Sequence, residues 1–211
     1  MPVIFVKQYK PDIVVGVWKI SESLDTLLSL YNPQGDDKEY YDRFLVEKRR
    51  KQWLATRILV RQLLGNREMH ILYDEHGKPY SPDSGMHFSL SHSGNHAAAI
   101  LSLHKPVGID IEKATDKLER VRGRFLRAEE ESALDNGNRM EQLCLYWCAK
   151  EALYKVYGKR KLDFKEDIRI DLYSHRASSF RIKGRITAGG PGREYLLRYE
   201  MLGDYYVVHT L

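Results

Sequence analysis

Four charged residues in two short segments have the types and spacing to cut a diphosphate with help from a hard cation. In Val107-Gly108-Ile109-Asp110-Ile111-Glu112 apolar and polar residues alternate with the period of a half-buried strand, so Asp110 and Glu112 share one face. Their Cα atoms then lie roughly 6.5 to 7 Å apart, within joint reach of one cation. Gly108, on the same face, is expected to leave room for a bulky anion. In the stretch from Trp147 to Lys155, Trp147, Glu151 and Lys155 recur at i, i+4 and i+8 on one helix face, beside an apolar stripe of Leu145, Cys148, Ala149, Ala152 and Val156. A third carboxylate and an ammonium thus share a surface. The plainer readings are a turn aspartate and an ordinary Glu151–Lys155 helix salt bridge.

A third segment adds weight to the chemical reading. His76-Gly77-Lys78-Pro79 places a lysine in a turn, and His87-Phe88-Ser89-Leu90-Ser91-His92-Ser93-Gly94 runs a strand into a turn rich in small donors. Such turns suit phosphate. These motifs together, Gly-Lys-Pro, Phe-Ser-Leu-Ser-His-Ser-Gly, Val-Gly-Ile-Asp-Ile-Glu and Trp-x-x-Lys-Glu-Ala-x-x-Lys, stand in order between about Arg43 and Leu162. In them the chain resembles the 4′-phosphopantetheinyl transferase superfamily, the larger type typified by the activator of surfactin synthetase.

The resemblance implies transfer of the phosphopantetheine arm of coenzyme A to a serine of an apo carrier protein, releasing adenosine 3′,5′-bisphosphate, as a holo-[acyl-carrier-protein] synthase type enzyme does. It implies Mg2+ held by Asp110, Glu112 and Glu151, with Asp110, Glu151 and Lys155 as the catalytic set. Glu151 is then the base, directly or through water, and Lys155 neutralises the departing phosphate. Gly77, Lys78, Pro79, Ser91, His92 and Lys155 are carried over to the donor. It also implies an α+β fold of two similar lobes related by pseudo-twofold symmetry, each a small antiparallel sheet packed with helices, with the active site between them. The expected division is 1–105 for the lobe binding coenzyme A and 106–211 for the lobe binding metal. Cys148 departs from the family's usual serine or threonine, and Lys159-Arg160-Lys161 from a more glycine-rich loop.

The residues themselves say more about the donor. A helix is expected from about Glu47 to Leu64, and on its wheel Arg50, Arg57 and Arg61 fall in one narrow sector. Between Arg43 and Arg61 seven Lys or Arg meet one Glu, 7 − 1 = +6, against +5 for the whole chain. By themselves they read most plainly as a solvated basic helix face; with the resemblance, Arg50 and Arg57 are expected to clamp the 3′-phosphate, with Arg61 in reserve. A basic rim at Arg122, Arg124, Arg127, Lys159, Arg160 and Lys161 is expected to steer an acidic carrier.

With 211 residues and 43% apolar content the chain can bury a full core. Cys144 and Cys148 lie one helical turn apart without zinc-ligand spacing, which fits reduced thiols in a cytoplasmic protein. No apolar run approaches the about 20 residues of a membrane span, and no leader pattern opens the sequence. Two strands are expected within 1–20, with Ser21 capping a helix to about Tyr31, and Asn32 to Asp37 forms a turn-rich connection. Strands are expected over 70–73, 87–91, 96–103 and 107–112, a helix over 128–135, the helix of Glu151, and four more strands over 168–173, 180–186, 195–201 and 205–210 around Gly189-Gly190-Pro191-Gly192. A monomer is expected. A nucleic-acid-binding module would leave the three carboxylates repelling phosphate, so no nucleic acid is expected as partner. The remaining alternative is a catalytically silent protein that binds coenzyme A or serves in assembly, indifferent to the carboxylates.

Overall fold

Strands and helices follow the two hydrophobic periods of the sequence, with helices after an opening pair of strands and again after a middle run of strands. The computed structural model describes residues 3–159, 162–172, 180–188 and 190–211. Arg160 and Lys161 of the expected rim, Tyr173 at the end of an expected strand, and Gly189 of the expected turn lie outside the described residues. The chain divides into two compact units, 1–106 and 107–211.

In the first unit, β1 (Val3–Lys10) and β2 (Ile13–Lys19) form a hairpin around Pro11-Asp12, and β5 (His87–Ser93) and β6 (His96–Ser102) form a second. They assemble an antiparallel sheet in the order β1-β2-β6-β5. Helix α3 (Glu47–Leu63) buries Trp53, Leu54, Ile58 and Leu59 against Trp18, Phe88, Ala97, Ala99 and Leu101 of that sheet. Between β2 and α3 run α1 (Leu24–Leu30) and α2 (Gly35–Asp42). Ser23, not Ser21, caps α1, because its hydroxyl accepts the Thr26 N–H. The expected loop through Asp37 is instead the start of α2, where Asp36 and Asp37 sit in the first turn and meet the positive end of the helix. A two-residue ladder, β3 (Leu72–Tyr73) with β4 (Pro79–Tyr80), presents the Gly77-Lys78 turn.

The second unit is a five-stranded antiparallel sheet in the order β7-β11-β10-β9-β8. Its strands are β7 (Ile109–Lys113), β8 (Ile168–Asp171), β9 (Arg181–Ile186), β10 (Arg193–Leu202) and β11 (Tyr205–Thr210). Helix α6 (Arg139–Tyr157) packs Leu143, Cys148, Ala152 and Leu153 against Ile168, Ile170, Ile182, Leu197 and Val208. Two short helices, α4 (Asp116–Val121) and α5 (Ala128–Ser132), lead into it. No sequence signal had marked α4, and the helix expected over 128–135 is shorter because Ala133 already leaves it. Each unit is α+β with helices on an antiparallel sheet. Among the described residues no helix is long and apolar enough to cross a membrane.

Candidate active site

Strand β7 meets α6 along the face that carries both acidic residues. A Cβ built on Gly108 would stand 1.9 Å from the Ala152 carbonyl oxygen, so this glycine admits the helix backbone and leaves no room for an anion. That corrects the expected role of Gly108. Asp110 and Glu112, two and four residues on, follow the same side of the strand toward α6. Asp110 is 6% exposed, and its Oδ1 accepts from Lys155 Nζ at 2.8 Å. Lys155 Nζ also donates to the Ile109 carbonyl at 2.9 Å. The lysine therefore bridges helix and strand, where the helix-surface reading would have paired it with Glu151.

Glu151 is the third member. Burial, first, and then the negative charge of Asp110 raise its pKa from 4.5 to about 7; Glu112 adds to the rise and Lys155 opposes it. A carboxyl group with that proton affinity is half-ionised near neutrality, the condition for a general base. Among the described residues no three of His, Cys, Asp and Glu are grouped closely enough to hold a metal ion as they stand. The expected triad is thus not preassembled, since the Lys155 ammonium already sits on Asp110. By donor chemistry the residues still fit a hard cation. All three are carboxylates, and both Asp110 and Glu112 act on Glu151 as negative charge that a cation would offset.

The neighbouring residue Lys150, the first lysine of the Trp-x-x-Lys-Glu-Ala-x-x-Lys motif, is fully buried. Its ammonium donates to the carbonyls of Phe125, Phe164 and Ile168 at 2.7, 2.8 and 2.9 Å and pairs with Glu130 at 2.6 Å. Glu130 in turn accepts from the backbone N–H groups of Arg127 and Ile170. Burial lowers the Lys150 pKa and Glu130 opposes that shift. Trp147 turns to the same side, edge-on to Phe125 at 5.2 Å and tilted against Phe164 at 5.8 Å. This fixes the rotation of α6 with Lys150 inward and Glu151 on the β7 side. The partners lie 14 to 25 residues away along the chain, so local spacing carried no sign of them.

In the first unit the expected donor residues are sorted differently. Asp74 Oδ1 accepts from the N–H groups of His76 and Lys78, and Gly77, at φ +82, closes the turn by donating to the Asp74 carbonyl. Lys78 is half-buried, and desolvation lowers its pKa against the pull of Asp74. Pro79 opens β4. Ser91 and His92 lie within β5, before the turn at Gly94, and so point to opposite faces: Ser91 is buried and His92 half-exposed. Arg49 comes up beside the imidazole, its Nη1 3.4 Å from both ring nitrogens. Sequence reasoning passed over Arg49, whose companion is 43 residues away.

Arg57 is not available as a phosphate clamp. It is 2% exposed, its guanidinium lies 3.6 Å from the Trp53 ring centroid, Nη2 donates to the Tyr73 hydroxyl at 3.2 Å, and Nε is 3.5 Å from Asp37. It organises an aromatic cluster of Tyr40, Trp53 and Tyr73. Arg50 is half-buried, donating Nε to the Phe44 carbonyl at 2.8 Å over the Tyr41 ring, and Arg61 lies 3.9 Å from Glu68. Of the three expected arginines, Arg50 and Arg61 keep part-exposed positions a ligand could reach.

Two family models match the chain. One described as 4'-phosphopantetheinyl transferase superfamily covers residues 106–207, and one described as 4'-phosphopantetheinyl transferase N-terminal domain covers 43–102. Among similar proteins, the 4'-phosphopantetheinyl transferase HetI of Nostoc sp. is 30% identical over 138 residues, 58% of this chain and 58% of HetI. The 4'-phosphopantetheinyl transferase AcpT of Escherichia coli K12 is 34% identical over 119 residues, 52% of this chain and 59% of AcpT. The 4'-phosphopantetheinyl transferase ffp of Bacillus subtilis is 28% identical over 148 residues, 65% of both. The chain therefore spans 58% and 59% of the length of HetI and AcpT.

Proposed function

The chain belongs to the 4′-phosphopantetheinyl transferase superfamily, and from that premise we propose that it moves the 4′-phosphopantetheine arm of coenzyme A onto a serine of an apo carrier protein. The observation that carries this reading is the meeting of Glu151, with its pKa near 7, and the Lys155–Asp110 pair across the α6–β7 contact. The serine oxygen forms a bond to the phosphorus that bears the pantetheine arm. The bond from that phosphorus to the oxygen bridging to the adenosine moiety breaks, and adenosine 3′,5′-bisphosphate leaves. Glu151 takes the serine proton, and Lys155, held in register by Asp110 and the Ile109 carbonyl, neutralises the departing phosphate. Mg2+ on Asp110, Glu112 and Glu151 would supply charge neutralisation to the diphosphate. Lys78 and the Arg49–His92 pair are assigned to the donor's phosphates and Arg50 to its 3′-phosphate, with Gly77, Pro79 and Ser91 shaping the turn and strand that present them.

This reading places the protein in the cytoplasm as a monomer of the holo-[acyl-carrier-protein] synthase type, with an acidic carrier as partner and no role for nucleic acid. A silent coenzyme A-binding protein is favoured by one observation, the carboxylates' not standing as a ready metal group. Incubation with coenzyme A, magnesium and a panel of apo carriers separates the two. Mass spectrometry is expected to show the added arm with wild type and none with Asp110→Ala or Glu151→Gln. Coenzyme A binding without transfer to any carrier would refute the enzyme and leave the silent protein.

A further inference from the structure

At the β8 side of the second unit's sheet opens a cleft of about 820 Å3, a size usual for small-molecule sites. Strands β7 and β8 are the two edges of that sheet, four strand spacings or about 19 Å apart, so the cleft is separate from Asp110. One wall is α6, where Asn138, Gln142 and Tyr146 recur at i, i+4 and i+8 and all line the opening. Asn138 is the N-cap residue and makes no side-chain hydrogen bond to the first turn. Gln142 accepts the Asp135 N–H at 2.7 Å, which leaves its NH2 group to donate. Tyr146 is 4% exposed and its hydroxyl makes no hydrogen bond among the described residues. That oxygen is not one of the polar atoms sealed inside without a partner, so it opens into the cleft. Burial, first, and then the charges of Glu130 and Asp171 raise its pKa, which keeps it a donor.

A second wall carries cations that the sheet holds against their mutual repulsion. Arg169 on β8 and Arg185 on β9 are cross-strand partners, both exposed on one face, with Cβ atoms roughly 5 Å apart. Lys183 stands two residues from Arg185 on the same face. Like charges directly opposed weaken a sheet. Arg185 donates Nη2 to the Pro191 carbonyl at 2.7 Å, and among the described residues none of the three cations closes an ion pair. Glu194, opposite Arg185 on β10, is no exception. Other carboxylates of the cleft are engaged: Glu130 by Lys150 at 2.6 Å, Glu129 by Arg127 at 3.7 Å, and Asp135 by the Gly137 N–H at 3.1 Å. Paired guanidinium groups beside a helix N-terminus suit a phosphoryl dianion, and amide and phenol donors suit hydroxyl groups.

We infer that this cleft binds a small phosphorylated polyol of the sugar phosphate class, with its phosphoryl group on Arg169, Lys183 and Arg185 and its hydroxyls on Asn138, Gln142 and Tyr146. The site goes beyond the transferase reading and does not depend on it. The test is calorimetric titration of wild type, Arg169→Ser, Arg185→Ser, Tyr146→Phe and Lys78→Ala with glucose 6-phosphate, inorganic phosphate and glucose. Glucose 6-phosphate is expected to bind wild type and Lys78→Ala alike, about tenfold or more weakly to either serine variant, and several-fold more weakly to Tyr146→Phe. Glucose is expected to give no heat. In ligand-free protein Arg169→Ser and Tyr146→Phe are expected to melt no lower than wild type, because each removes a group that the fold leaves unmatched. No binding of glucose 6-phosphate, or binding lost in Lys78→Ala and kept in the serine variants, overturns the site. Inorganic phosphate binding as tightly as glucose 6-phosphate overturns the polyol assignment. Lower melting of Arg169→Ser and Tyr146→Phe assigns both side chains to stability and overturns the site as well.

Discussion

Replacing Glu151 by glutamine is expected to stabilise the protein at neutral pH while abolishing transfer. In the folded chain the carboxyl holds its proton up to about 7, against 4.5 for an unstrained glutamate, chiefly because it is buried and secondly because Asp110 repels its charge. The sign follows from proton counting. Below 4.5 both folded and unfolded chains are protonated and Glu151 contributes nothing. Between 4.5 and about 7 the unfolded chain has released the proton and the folded one keeps it, so stability falls as pH rises; above about 7 the loss is complete. A span of 7 − 4.5 = 2.5 pH units at about 1.36 kcal/mol each gives about 3 kcal/mol. Urea unfolding of wild type and Glu151→Gln, in chelator-treated buffer at pH 4 to 8, measures it. The difference between the two proteins is expected to widen by about 3 kcal/mol from pH 4.5 to pH 7.5 and then level off. A difference that stays constant over this range would refute the burial argument, and with it the base assignment.

Gly108→Ala is expected to cost more than about 3 kcal/mol or to force α6 off β7, because the added methyl meets a backbone oxygen with no side chain to yield; thermal unfolding measures the first and loss of transfer the second. Lys150→Met, which strands the Glu130 carboxylate in the core, is expected to cost about 3 to 5 kcal/mol, with most of it recovered in the Lys150→Met, Glu130→Leu double variant by urea titration. Arg57→Ala is expected to lower stability by about 2 kcal/mol or more while leaving the coenzyme A affinity of the folded protein unchanged by calorimetry. Arg50→Ala is expected to weaken coenzyme A about tenfold and dephospho-coenzyme A little, since the latter lacks the 3′-phosphate; equal losses would rule that contact out.

Most of the strands, the helix of Trp53 and the placing of Asp110 with Glu112 on one strand face were legible in the sequence, because periods of two and 3.6 residues are local properties, whereas α2 and α4 were not. The helix of Glu151 and Lys155 was legible too. The structure decided which neighbours those side chains meet. Gly108 turned out to seat a helix, Lys155 to bridge to Asp110 and Lys150 to be an internal anchor, each through partners 14 to 46 residues away. The arginines of α3 show the limit best. A helical wheel put Arg50, Arg57 and Arg61 together, yet burial against Trp53 and Tyr73 withdrew Arg57, and the approach of β5 brought Arg49 to His92. A wheel records direction around one axis. What a charge does depends on the low dielectric and the partners that the rest of the chain brings to it, and those are tertiary facts.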